Sequence, residues 1–226
     1  MERLKKGKPL PTVFLHVQGI PVSALAAALK TSAIRLNIAG LSLCGEPGNF
    51  KIDAALDELG DKYLLAGFRC KANLADWYAL FSQLKDIRYM NLTGWEGEGL
   101  SAALNGWFHQ FHQLEELHLP MCEITQPCFV HISNKIENKQ SFKCLGIDHL
   151  SRKAVHGYAG RADVISVLEN NPDVRIIDYF DHPVLNWPAM EPFWKEGRYI
   201  ISSIPHAIRA LPEIYGQVDF FKPATS

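Results

Sequence analysis

Eight copies of one short apolar pattern are spaced along the chain, and that spacing limits the architecture more tightly than any single residue. The pattern runs apolar, any, apolar, any, any, apolar, any, any. Its copies are LHVQGIPV from Leu15, LNIAGLSL from Leu36, YLLAGFRC from Tyr63, MNLTGWEG from Met90, LHLPMCEI from Leu117, LGIDHLSR from Leu145, IDYFDHPV from Ile177 and YIISSIPH from Tyr199. The starts lie 21, 27, 27, 27, 28, 32 and 22 residues apart. A period in the twenties marks a stack of supersecondary units, none of which can bury its apolar face alone.

The clearest copy is QLEELHLPMCEI, in which Leu114, Leu117 and Leu119 are followed by Cys122 and Ile124. Two leucines separated by one residue point to the same side of a strand, because strand side chains alternate. The copy before it supplies Ile87, Met90, Leu92 and Trp95, and the copy after it Phe142, Leu145, Ile147 and Leu150. Between strands the period changes to that of a helix. Leu100, Leu104, Trp107, Phe108 and Phe111 form one stripe, and Leu74, Trp77, Phe81 and Leu84 form another behind a capping Asn73. Ile52, Ala55, Leu56 and Leu59, and later Val164, Ile165 and Leu168, repeat the plan. Strand, crossover helix and parallel strand in alternation predict one parallel sheet with helices along one side.

These units resemble the leucine-rich repeat, and the repeat length of 27 to 28 residues is similar to the ribonuclease-inhibitor-like class. The resemblance runs from about Val13 to about Tyr215. It implies an α/β, right-handed solenoid with about eight parallel strands on the concave side and helices on the convex side. Residues 1–226 then form a single domain with capping units at both ends. The short first spacing and the PHAIRALPEIYG helix suit the caps, and Phe220 and Phe221 tuck beneath the last unit. One position departs from the family. Where it carries Asn or Cys, this chain has Ile20, Leu41, Phe68, Trp95, Cys122, Leu150, His182 and Ile204, so backbone groups at that bend need other partners everywhere except at Cys122.

Composition narrows the function classes. Twenty-three Lys and Arg against 24 Asp and Glu leave no bulk field to attract nucleic acid or a membrane surface. The five cysteines form no C-x-x-C pair, which points to reduced thiols and a cytoplasmic setting, or a host cytosol if the protein is a delivered effector. The basic, apolar N-terminus superficially suits a secretory signal, but His16, Gln18 and three prolines interrupt it, while Leu15, Val17 and Ile20 obey the repeat. No apolar run approaches the roughly 20 residues that span a bilayer.

With the repeat residues turned inward, their neighbours define an open face on the order of 35 Å long, from about eight strands at about 4.8 Å spacing. It carries Arg35 and Lys62 in the first half, Tyr89, Asn91 and His118 near the middle, and Glu116, Asp148 and Asp178 toward the second half. The leading reading is a protein-binding module of adaptor, inhibitor or effector type, whose partner docks on these residues and offers basic groups to the acidic half. No cofactor and no metal are expected, and the chain is read as not an enzyme. The alternative is an enzyme with a site at the strand ends around Glu116, His118 and Asp148, with Asp178 nearby, though no nucleophile or oxyanion site is specified by the local sequence. A third possibility is a structural subunit of a larger assembly. His109 and His112, three apart, suit a solvated flank, with metal sharing with His118 as the competing thought.

Overall fold

The computed structural model describes residues 12–31, 37–45, 70–96, 98–120, 122, 124–148, 159–179 and 190–202. The order is β1 (Thr12–Gln18), α1 (Val22–Thr31), β2 (Asn37–Cys44), β3 (Cys70–Lys71), α2 (Leu74–Phe81), β4 (Tyr89–Thr93), β5 (Trp95–Glu96), α3 (Glu98–Trp107), β6 (Glu116–His118), α4 (Gln126–Ile136), β7 (Cys144–Asp148), α5 (Ala159–Asn170), β8 (Arg175–Tyr179), α6 (Glu191–Lys195) and β9 (Tyr199–Ser202). A 3-10 turn, Phe108–Gln110, continues α3.

Seven strands form one sheet in the order β1-β2-β4-β6-β7-β8-β9, every pair parallel. The repeat pattern therefore encodes what it should: a parallel sheet whose strands need a helical crossover to return. One row of register partners runs Leu15, Leu41, Met90, Leu117, Leu145, Ile176, Tyr199. It packs against the apolar faces of the helices in a single core that includes Leu43, Leu92, Leu119 and Ile147 from the next row. Successive helices α1 to α5 touch one another in turn on that side of the sheet.

The helices expected around Leu74–Leu84, Leu100–Phe111 and Val164–Leu168 are present with small rotations, whereas the stripe from Ile52 to Leu59, the PHAIRALPEIYG segment, Phe220 and Phe221 lie outside the described residues. Asn73 caps α2 by accepting from the Asp76 backbone N–H at 2.9 Å. The buried face of α2 is Trp77, Leu80 and Phe81, so Leu74, assigned inward from the sequence, faces solvent instead. Leu100, Leu104, Phe108 and Phe111 are buried as expected, and Trp107 only partly. Trp194 on α6 is 56% exposed.

Three parts of the repeat frame need correction. Among the described residues the sheet has seven strands where about eight are expected, and β2 pairs directly with β4. Tyr63 and Leu65 lie outside the described residues. In β2 the residues level with Met90 and Leu92 are Leu41 and Leu43, not Leu36 and Ile38. A register shift between Val13 and Phe14 leaves Ala39 as an extra residue, so both Ile38 and Leu41 reach the core. In β8 the inward residue is Ile176, one place before the Ile177 chosen from the sequence. Two adjacent isoleucines fit the pattern in either frame, and a slip of one residue exchanges the two faces of the strand.

The departure at the bend has a structural answer. Cys122 donates its S–H to the Leu92 carbonyl at 2.8 Å. Trp95, one unit earlier, donates its indole N–H to the carbonyl of Leu43, the register partner of Leu92, at 3.1 Å. The bulky residue thus does at its position what the thiol does at the next, satisfying a backbone acceptor that the strand ladder leaves over. Backbone bonds from Gly19 to Cys44, Gly45 to Thr93 and Gly94 to Pro120 extend the same cross-unit ladder past the strand ends. Gly19 and Gly94 have φ of 67° and 76°, which favours glycine at these turns.

Candidate functional site

Among the described residues, the sheet face opposite the helices is buried at its centre and accessible on β1 and along the strand starts. His16 is exposed on β1 and Phe14 and Tyr89 are half-buried, but Ser42, Asn91, Thr93, Glu116, His118, Cys144, Ile177 and Tyr179 are buried. The residues expected on a solvated surface are therefore distributed differently. Tyr89 remains accessible; Asn91, Glu116 and His118 do not. Asp178 is turned to the helix side, level with Ile147 and Ile201, where it accepts a hydrogen bond from the Tyr199 hydroxyl. Arg35, Lys62 and the Asp148 side chain lie outside the described residues.

The polar centre of this face is built by β6, β7 and β8. His118 Nε2 lies 3.1 Å from Glu116 Oε2, and Tyr179 Oη lies 2.7 Å from His118 Nδ1. A carboxylate can only accept, so Nε2 carries the proton shared with Glu116, and the Tyr179 hydroxyl is the partner of Nδ1. Arg175 reaches the other carboxylate oxygen of Glu116 at 3.4 Å and also hydrogen-bonds the Cys144 thiol. Gly146 leaves the space between His118 and Tyr179 that both rings fill.

Burial pushes the Glu116 carboxyl up, but the hydrogen bond and charge of His118 and the guanidinium of Arg175 outweigh it and hold the group below the usual carboxylate range. Its contribution to stability is thus present above the ordinary glutamate range and lost as pH falls through the lower folded value. Glu116→Gln should make the acid-side loss shallower than in the parent, while Glu115, also held low, retains part of the slope. Urea midpoints from about pH 7 to about pH 3 check this, and an unchanged slope would refute it.

The donor set resembles a metal or nucleophile site, because Glu116, His118 and Cys144 present one ligand atom each within 4.8 Å of one another. A cation there would have to displace Arg175 from both the carboxylate and the sulfur, and to take the proton of a thiol that burial pushes up to about 12. The same high value makes Cys144 a poor nucleophile for His118 to activate. The arrangement is that of a polar network whose members pair with one another. Asp148, the third member of the enzyme alternative, cannot be assigned to it.

No family model and no curated protein matches this chain.

The edge that stays accessible is where the helix-to-strand turns enter the sheet. Phe14 and Tyr89 pair at 5.8 Å between centroids, with Phe14 seated on Gly40, where an added Cβ would strike its ring. Arg88 lies 5.4 Å from the centre of the Tyr89 ring and ion-pairs with Glu115, which Lys143 also contacts at 3.0 Å. Arg88 and Glu115, and Glu115 and Lys143, are joined by backbone hydrogen bonds, so the charges stand side by side on consecutive units. The alternating strand pattern marks Tyr89 but not Arg88, Glu115 and Lys143, which sit in the turns one residue before the strands begin. It also misses Arg175 and Tyr179, whose placement depends on the frame of β8; Gly146, a glycine inside a strand, is the available signal of close packing there.

Proposed function

We propose that the protein is a binding module for another protein, and that its working surface is this rim of half-buried aromatics and paired charges rather than the centre of the sheet. The observation that carries the reading is the Phe14–Tyr89 pair, accessible beside Arg88 and Lys143. Aromatic and arginine side chains are the usual anchors of interfaces. Since Glu116 is neutralised by Arg175 and Asp178 faces the helices, the partner surface is acidic, the reverse of what the sequence alone suggests.

The finer architecture belongs to the same proposal: a right-handed, leucine-rich-repeat-like solenoid. Parallel strands in sequence order, helices packed in succession, and the matching bonds of Trp95 and Cys122 support it. Five free cysteines support a reducing, cytoplasmic setting, and no described helix is long and apolar enough to cross a membrane. An adaptor, inhibitor or effector role is compatible with a surface of this kind.

Proximity labelling with the parent and with Tyr89→Ala, followed by kinetics on the purified pair, tests the reading. Tyr89→Ala should speed dissociation about tenfold, and Arg88→Glu with Lys143→Glu should chiefly slow association at low salt. Affinity unchanged in both variants, with circular dichroism showing them folded, would remove the rim from consideration.

A further inference from the structure

Basic side chains from two helix ends converge on one cavity of about 530 Å³, between the turn after α3 and the turn after α4. His109, His112, Lys135 and Lys139 line it together with Asn138, Gln140 and Ser141. Every one of these side chains can donate a hydrogen bond and none is a carboxylate, in a chain whose overall charge is only −1.

Part of this lining has a structural duty. Lys139 donates to the Phe111 carbonyl and lies 5.2 Å from the centre of the Phe108 ring, and Ser141 donates to the carbonyls of His112 and Leu114. Lys135 and His109 stand in the last turns of their helices, where a positive charge complements the exposed carbonyls. That accounts for each cation singly. It does not account for their meeting in one cavity whose lining holds no carboxylate. Nearby on α4, burial lowers the basicity of His131, the charges of Lys135 and His109 lower it further, and its Nε2 is buried without a hydrogen-bond partner.

We propose that this cavity binds a small phosphate-bearing molecule, with Lys135, His109 and His112 on the phosphate. A monoester dianion offers several oxygens to converging donors, and lysine suits phosphate as a point charge. The cavity is open to solvent and larger than a bare phosphate requires, which leaves room for an organic portion as well. The inference rests on the cavity alone and does not depend on the protein-binding rim.

The test titrates the protein with inorganic phosphate, glucose 6-phosphate and a phosphoserine peptide at constant ionic strength, reading the imidazole proton signals of His109 and His112, with chloride and acetate as controls. Saturable shifts are expected with phosphate and, at lower concentration, with glucose 6-phosphate. Lys135→Gln, an exposed change, should weaken both about tenfold, while Lys30→Gln on α1, also exposed, should leave them unaltered. Shifts that are linear and equal for chloride would overturn the site, as would equal affinity in the parent and Lys135→Gln. Tighter binding of the phosphopeptide than of glucose 6-phosphate would overturn the small-molecule assignment in favour of a phosphorylated protein.

Discussion

Leu117→Ala should lower the free energy of unfolding by about 2 to 5 kcal/mol, read as a shift of the urea midpoint at unchanged slope. Leu117 is fully buried at the middle of the sheet, between Met90 on β4 and Leu145 on β7 in one inward row. The row is held from outside by the buried faces of α3 and α4, including Leu104, Phe108, Phe129 and Ile132. Removing the isobutyl group takes away its transfer free energy, and the flanking strands, tied by ladder bonds on both sides, collapse only partly into the void. Leu117→Met keeps the volume and should lose less than about 1.5 kcal/mol. The contrast between the two is the test. If alanine cost under about 1 kcal/mol, Leu117 would not be enclosed, and the inward row would be wrong at its centre.

That row shows how the fold was legible in the chain. Met90, Leu117 and Leu145 each begin an apolar-polar-apolar triplet with a polar or small residue between, so only one frame buries the apolar pair, and the frame read from the sequence is the frame found. Where apolar residues are contiguous the pattern loses that power. Ile176 and Ile177 admit two frames, and the acidic Asp178 argued for the wrong one, because a buried carboxylate held by Tyr199 is invisible until the two strands are paired. In β2 the extra residue at Ala39 shifted the phase without leaving a sequence mark. The candidate site was less legible for a related reason. Glu116 and His118 were recognised as companions across one intervening residue, but their partners Tyr179 and Arg175 come from a strand whose face could not be fixed, and their burial depends on packing that a one-dimensional pattern does not record.

Gly146→Ala is the second substitution expected to have a large effect, although it adds a single methyl group. The φ of Gly146 lies outside the left-handed region, so the backbone itself accepts alanine. The obstacle is space: the new Cβ would stand 2.3 Å from His118 Nδ1 and 2.7 Å from Tyr179 Cε2. Neither neighbour is the free end of a flexible chain. Both rings are buried, and each holds the other through the 2.7 Å hydrogen bond that the methyl would cut across. Moving His118 aside also lengthens its bond to Glu116, leaving Arg175 to offset a buried carboxylate with less help. Overpacking and weakened buried hydrogen bonds act together, so the expected loss is about 3 kcal/mol or more. A double-mutant cycle identifies the cause: in a His118→Ala background the methyl gains room on one side, and the cost of Gly146→Ala should fall by more than about 1 kcal/mol. An equal cost in both backgrounds would mean that the glycine is required by the strand and not by the histidine, and the polar network would lose its claim to organise this face of the sheet.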